Sequence, residues 1–203
     1  MAASLDSIPQ EVLNDLKARY GEPQRFYHTW DHIEALLRGL ATVEDRLSRP
    51  EAVLHAILFH DAVYDPMRSD NEAESARLLE DTILPNLADV DREAAVRMTL
   101  ATAKHRIDPS VTSDEQADTA LFLDLDLSIL GSRPDVFDRY EEQVRAEYGM
   151  VPDELFLVGR RQILTALAET LYLSDWGREN YEARARDNIS RSLAKTGWRK
   201  AEH

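Results

Sequence analysis

Apolar residues recur at helical spacing along almost the whole chain, and this periodicity limits which folds the chain can adopt. One stripe of a predicted helix carries Ile33, Leu36, Leu37, Leu40 and Val43, at the spacing that places side chains on one helix face. Alternating strand patterns and Asn-Gly hairpin signals are missing from the sequence, although a β-sheet would require them. The periodicity predicts an all-α fold.

Capping residues, prolines and glycines divide this pattern into about eight or nine helices. Ser7 and Gln10 form a predicted capping box at the start of the first helix, and Gly21 ends that helix. The second helix carries the apolar stripe, and the later helices are predicted at about 50–64, 70–85, 91–105, 114–130, 134–148, 152–173 and 177–196. Because no linker or repeat interrupts them, one domain over residues 1–203 is expected.

The charge balance excludes several kinds of partner. The chain has 24 Lys and Arg against 38 Asp and Glu, which gives a net charge of −14. Such a surface repels nucleic-acid backbones and anionic lipid, so neither a nucleic-acid polymer nor a membrane is an expected partner. The lack of cysteine excludes disulfides and thiolate metal sites. Because signal-peptide and membrane-span patterns are missing as well, a cytoplasmic location is expected.

Asp126 occupies a helix position where an apolar residue is expected. Its neighbours three and four residues away are Phe122, Leu123, Ile129 and Leu130, all large and apolar. A carboxylate buried there needs a positive partner, because burying it unpaired is very costly. Either an arginine or a metal ion would meet that need.

The predicted third helix shows the same anomaly at His60 and Asp61. His60 has apolar neighbours on its helix face, and Asp61 follows it directly. Adjacent helical residues point about 100° apart, so both side chains reach one ion only if it lies over the surface between them. His32 lies on the second helix with His28 four residues earlier, so the two rings could share a face. His28 could equally be a structural histidine that bonds a carbonyl group.

Two histidines and two aspartates from three helices make a mixed nitrogen and oxygen site for a divalent metal. The predicted ligands are His32, His60, Asp61 and Asp126, and this set leaves coordination positions for water or substrate. The ligand types admit Mn, Fe, Co, Ni, Zn or Mg, bound as one or two ions. Asp124 is the alternative aspartate, but its helical neighbours are less uniformly apolar.

Three segments of the sequence resemble the HD superfamily of metal-dependent phosphohydrolases. They are YHTWDHI at 27–33, FHDAVYD at 59–65 and LDLSILG at 125–131. The first is similar to the Tyr-His-Asn-x-x-His motif of cyclic-nucleotide phosphodiesterases, and the third to their Ala-Asp-Leu-Ser. The match covers about residues 26–131. Taken whole, the chain resembles a bacterial group described as predicted HD phosphohydrolases.

The resemblance implies an HD-type helical bundle with its metal-site core at about 26–131 and a C-terminal helical part at about 132–203. It implies the same four metal ligands, and it favours Asp126 over Asp124. It also implies that His28 acts as the acid near the leaving group. Asp61 is a candidate catalytic residue as well, because its carboxylate could bridge a second ion.

The middle segment is also similar to the His-Asp-x-x-Glu-Asp motif of the alarmone hydrolases. Asp65 matches the final acid of that motif and is therefore a candidate catalytic residue. Tyr64 stands where the motif has glutamate. Because of this departure, an alarmone is not the expected substrate.

The expected activity is the hydrolysis of a small phosphorylated molecule, such as a nucleotide. His28 or His105 could protonate the leaving oxygen or hold a phosphate oxygen, and Arg145 is a candidate phosphate ligand. His105 could equally be a histidine favoured at a helix C-terminus, and a solvated helix face explains Arg145 as well. Two alternatives remain at this point. One is a di-iron oxygenase on the same fold, and the other is a protein that binds a metal or nucleotide without catalysis.

Overall fold

A computed structural model describes residues 4–195, and it confirms the all-α fold. Nine α-helices of at least ten residues and no strand occur within this range. The helices are α1 (Gln10–Tyr20), α2 (Trp30–Val43), α3 (Pro50–Phe59), α4 (Asn71–Asp81), α5 (Asp89–Ala101), α6 (Ser113–Asp126), α7 (Pro134–Glu147), α8 (Asp153–Glu169) and α9 (Ala183–Leu193). None of the helices in the described range combines the length and the apolarity that a membrane span needs.

Several predicted helix ends are wrong, and two of them bear on the candidate site. Helix α3 ends at Phe59 and α5 at Ala101, four or five residues before the predicted ends. Helix α6 ends at Asp126, and a 3-10 helix, Leu127–Gly131, continues the chain. The predicted end of the last helix, residue 196, lies outside the described residues.

The predicted capping box at the first helix is also wrong. Helix α1 begins at Gln10, after Pro9, and its N-cap has no side-chain hydrogen bond. The Ser7 hydroxyl instead donates to the carbonyl oxygen of Ser4 at 2.8 Å. Gly21 does end α1 as predicted.

The chain divides into two compact units, Met1–Asp126 and Leu127–His203. In the first unit, α3 is the central helix and packs against α2, α4, α5 and α6. Eight consecutive residues of α3, Ala52 to Phe59, are buried. This helix is apolar on every side, which is typical of a helix enclosed by others.

Two contacts fix α6 against its neighbours in the first unit. A Cβ atom at Gly39 would lie 2.6 Å from Cδ2 of Leu125, so the missing side chain lets α2 approach α6 next to Asp126. Within the first half of α6, the buried carboxylate of Asp118 accepts the backbone N–H groups of Ser48 and Arg49 at 2.9 and 2.8 Å. These bonds hold α6 beside the start of α3.

The second unit is held by buried polar contacts. The Arg160 guanidinium donates to the carboxylate of Glu141, which also accepts the Ser192 hydroxyl. Arg145 donates to Asp153 and to the carbonyl oxygens of Tyr148 and Val151. Arg145, a candidate phosphate ligand, therefore has its donors engaged in joining α7 to α8.

Candidate metal centre

Four predicted ligands lie at the ends of helices in the first unit. His32 lies in the first turn of α2, after the N-cap residue Thr29. His60 is the C-cap of α3, and Asp61 follows it. Asp126 is the last residue of α6. Because α3 ends at Phe59, His60 and Asp61 lie directly after its last residue.

The side chains of these four residues contact one another. Nε2 of His60 lies 3.3 Å from Nε2 of His32, 3.1 Å from Oδ2 of Asp61 and 3.4 Å from Oδ1 of Asp126. Nε2 of His32 lies 3.2 Å from the same Asp126 oxygen. His32, His60 and Asp61 each offer one ligand atom within 4.8 Å of the other two. Asp126 is not part of this group, but its carboxylate contacts the rings of His32 and His60.

The bonding of His60 fixes which of its nitrogen atoms faces the cluster. Its Nδ1 lies 3.0 Å from the carbonyl oxygen of Ile57, and a carbonyl oxygen only accepts, so Nδ1 carries a proton. Nε2 then meets three polar atoms at once. A single N–H group is directional and serves one such atom well, whereas a cation between the four side chains attracts all of them.

The distances also fit a metal ion. Metal bonds of about 2.0–2.2 Å to nitrogen and oxygen, at tetrahedral or octahedral angles, separate neighbouring ligand atoms by about 2.8–3.6 Å. The four contacts among His32, His60, Asp61 and Asp126 lie at 3.1–3.4 Å. The spacing of His32, His60 and Asp61 therefore suits a divalent ion, and Asp126 contacts the two rings of this group.

The charge states of the four residues follow from burial and from one another. Burial raises the pKa of Asp126, but hydrogen bonds from His105, His32 and His60 outweigh it and hold the pKa well below its usual value. Burial also opposes ionisation of Asp61, but the charges of His60 and His28 lower its pKa. Both carboxyl groups are therefore anionic, as metal ligands must be.

The two rings are shifted in opposite directions. Burial lowers the pKa of His32, and Asp126 only partly offsets this effect. Burial lowers the pKa of His60 too, but Asp61 and Asp126 outweigh it and raise the pKa well above the usual value. A positive charge between the two carboxylates is thus favoured at His60, and either a proton or a metal ion can provide it.

Two further histidines border the cluster and are more exposed. Nε2 of His28 lies 4.0 Å from Oδ2 of Asp61, and Nε2 of His105 lies 3.2 Å from Oδ2 of Asp126. Their side chains are 21% and 25% exposed, against 4% and 1% for His32 and His60. The inner pair is therefore suited to hold an ion, while the outer pair is accessible to a ligand.

The backbone of His105 is in the left-handed region, with a φ of 46°. The N–H of Arg106 bonds the carbonyl oxygen of Ala101 at 3.4 Å, which closes the end of α5 in the manner of a Schellman motif. Glycine usually holds the left-handed position of that motif. For a residue with a Cβ atom this conformation costs about 1–2 kcal/mol. His105 keeps it while its ring contacts Asp126, as is common for strained residues at functional sites.

This strain gives a testable prediction for a pair of variants. Both His105→Gly and His105→Ala remove the ring and its bond to Asp126, but only glycine relieves the backbone. We expect the glycine variant to have the larger free energy of unfolding, by about 1 kcal/mol, in urea unfolding followed by circular dichroism. Equal stability of the two variants would contradict the left-handed conformation of His105.

Asp65, the remaining candidate, has different surroundings. Its carboxylate is exposed and accepts the backbone N–H of Met67 at 2.9 Å. Its backbone is held by Asn71, whose side chain accepts the N–H of Asp65 and donates to its carbonyl oxygen. The structure therefore does not bring Asp65 into the cluster, and the carboxylate instead stabilises a turn.

Sequence reasoning missed Arg25, which is only 5% exposed. Its guanidinium donates to the carbonyl oxygens of His28, Asp61 and Ala62 at 3.2, 2.7 and 3.1 Å, and to the carboxylate of Glu22 at 3.0 Å. One side chain thus connects the segment before α2 to the residues that follow α3. Arginine with an acidic neighbour gave no signal in the sequence that would distinguish it from a surface residue.

Helix α4 bonds the next residues of the same segment. The Ser75 hydroxyl accepts the N–H of Val63 at 3.0 Å, and Asn71, four residues earlier on the same helix face, bonds Asp65. Both residues are buried. With Arg25 they explain why the chain leaves the helix after Phe59, because the backbone groups of residues 61–65 bond to side chains.

Comparison of the chain with models of protein families, with curated proteins and with solved structures found no match.

Proposed function

We propose that this protein is a metal-dependent phosphohydrolase that acts on a small phosphate ester. The observation that carries the proposal is the convergence of His32, His60, Asp61 and Asp126 at contacts of 3.1–3.4 Å. Two partly exposed imidazoles adjoin the two carboxylates of this set. A buried ligand group with accessible acid–base groups beside it is what hydrolysis at a metal centre needs.

A bound ion and the residues of the chain would contribute different parts of the hydrolysis. A divalent ion held by the four residues would polarise a phosphoryl oxygen and lower the pKa of a bound water toward neutrality. Asp61 and Asp126 together carry two negative charges, which match the charge of such an ion. The negative chain as a whole disfavours polyanions, so a small ester is the expected substrate.

Proton transfer is assigned to the two outer histidines. Hydrolysis joins a water oxygen to phosphorus and breaks the ester bond, and the departing oxygen must gain a proton. Nε2 of His28 and Nε2 of His105 lie 4.0 and 3.2 Å from carboxylate oxygens of Asp61 and Asp126, so both rings border the proposed ion site. Both rings are accessible enough to reach a ligand. The ring that gives its proton to the leaving oxygen would become neutral, and the proton released by the attacking water would then restore it.

The proposal is tested by metal content and turnover on the same preparation. The full chain is stripped with a chelator and loaded separately with Mn²⁺, Fe²⁺, Co²⁺, Ni²⁺, Zn²⁺ or Mg²⁺. Bound metal is measured by elemental analysis, and hydrolysis is measured with p-nitrophenyl phosphate. We expect stoichiometric metal and metal-dependent hydrolysis in the parent, and loss of both in Asp61→Asn, because the amide is a neutral and weaker ligand.

Asp31→Asn is the matched control for Asp61→Asn. Asp31 adjoins His32 in the chain, but its side chain is exposed, so this variant should keep metal and activity. A parent that binds no metal under any loading would overturn the proposal. Bound metal without turnover of any ester would favour a binding protein, and bound iron with oxygen uptake would favour an oxygenase.

A further inference from the structure

A cleft of about 500 Å³ lies next to the end of α5 in the first unit. Its lining is mainly apolar and includes Leu100, Ile107 and Val111. Leu100 is 46% exposed, although a large apolar side chain gains by leaving water. The cleft therefore offers an apolar surface to a ligand that has an apolar or aromatic part.

Lys104 and Arg106 add positive charge to this cleft. Both side chains are exposed, and within residues 4–195 neither forms an ion pair or a side-chain hydrogen bond. The third cation of the lining, Arg97, differs because its guanidinium bonds Glu115 at 2.6 and 3.0 Å. The lining also includes Asp108, whose carboxylate accepts the N–H and the hydroxyl of Ser110 at 2.8 and 2.7 Å. Three cations and two carboxylates therefore line this cleft, and such a local positive excess in a chain with a net charge of −14 attracts an anion.

His105 relates the cleft to the candidate metal centre: it does not line the cleft itself, but the residues on both sides of it in the chain do. His105 lies between Lys104 and Arg106 in the chain, and its Nε2 lies 3.2 Å from Oδ2 of Asp126. Consecutive Cα atoms are about 3.8 Å apart. The Cα atoms of Lys104 and Arg106 therefore each lie about that far from the Cα atom of His105. The backbone of His105, between the two cations, is in the left-handed region.

We propose that this cleft binds the organic group of the substrate, and that this group is an aromatic or apolar ring attached to an anion. Leu100 and Ile107 contact the ring, and Lys104 and Arg106 neutralise its negative charge. The assignment rests on the proposed function, since it places the reacting phosphate toward His105. It makes an aromatic phosphate ester a better substrate than a small aliphatic one.

The binding test uses 1-naphthalenesulfonate, an aromatic anion that cannot be hydrolysed, titrated calorimetrically into the full chain as purified. We expect Lys104→Gln and Arg106→Gln each to weaken binding about threefold to fivefold, as for an exposed ion pair, and Leu100→Gln to weaken it as well. Arg46→Gln is the control, because Arg46 is also exposed and without an ion pair in the described range but lies outside the cleft. If the Lys104 and Arg106 variants bind like the control, the cleft is not the site.

A kinetic test separates this proposal from the proposed function. With 1-naphthyl phosphate and the metal-loaded protein, we expect Arg106→Gln to raise KM about threefold to fivefold and to leave kcat unchanged. Hydrolysis with an unchanged KM in this variant would overturn the cleft assignment and leave the hydrolase proposal standing. Weakened sulfonate binding in a protein that hydrolyses no ester would support the cleft as a binding site and overturn the hydrolase proposal.

Discussion

Replacement of Asp126 by asparagine is expected to lower the affinity for a divalent metal at least about a hundredfold, since even residues that only support metal ligands contribute about 10–100-fold. The Asp126 carboxylate contacts both inner rings, at 3.2 Å from His32 and 3.4 Å from His60. Asparagine keeps the size but supplies only a neutral oxygen. Calorimetric titration with Mn²⁺ and with Zn²⁺ measures the change.

Asp124→Asn provides the matched control for this prediction. Asp124 lies two residues earlier in α6 and is 1% exposed, while the Asp126 side chain is 13% exposed. The two variants therefore make the same chemical change in the same helix, with the control at the more buried position. We expect Asp124→Asn to keep the metal affinity of the parent. If Asp124→Asn loses the metal and Asp126→Asn keeps it, the ligand from α6 is wrongly assigned. Thermal unfolding of both variants identifies any loss of affinity that results from misfolding.

The helices were predictable because their signals are local. The spacing of apolar residues predicted the helices, and Gly21 correctly predicted the end of α1. The ends of α3 and α5 were not predictable in the same way. Apolar residues continue past Phe59, but the carbonyl oxygens of Asp61 and Ala62 bond to Arg25. These two bonds join residues that are 36 and 37 positions apart in the chain. A local sequence pattern cannot predict bonds of that separation.

The candidate site shows the same division between local and distant signals. His60 and Asp126 stood out because an ionisable residue on an apolar helix face needs an explanation, and the structure places them 3.4 Å apart. Asp65 was suggested by a motif alone, and its exposed carboxylate lies against Met67. His105 was expected at the end of a helix, but its left-handed backbone depends on how α5 is closed. Burial anomalies therefore predicted the cluster better than motif positions did.

Arg25→Lys is expected to lower the metal affinity about 10–100-fold, the range known for residues that orient metal ligands, although the positive charge is kept. The guanidinium spans three carbonyl oxygens, those of His28, Asp61 and Ala62. Lysine carries its donors on one nitrogen and cannot reproduce this planar fork. The segment that carries Asp61 would then be free to shift relative to the start of α2.

Stability and metal affinity must be measured separately in this variant. A buried carbonyl oxygen without a donor costs about 1–3 kcal/mol, so urea unfolding should show a loss of that order. Arg19→Lys is the control, because the Arg19 side chain is 34% exposed and its ion pair, at 2.7 Å, is with Asp15 on the same helix α1. Both the stability and the metal affinity of this variant should stay near those of the parent.

The metal titration then decides what Arg25 does. It is made in the absence of denaturant, at a temperature where circular dichroism shows that the Arg25 variant is folded. If Arg25 only supports the fold, the folded variant binds metal as tightly as the parent, and the role assigned to its guanidinium is wrong. If Arg25 orients Asp61, the folded variant binds metal more weakly, and the effect is absent from Arg19→Lys. The second result is expected, because the shortest contact of the guanidinium with a carbonyl group, 2.7 Å, is made to Asp61 itself.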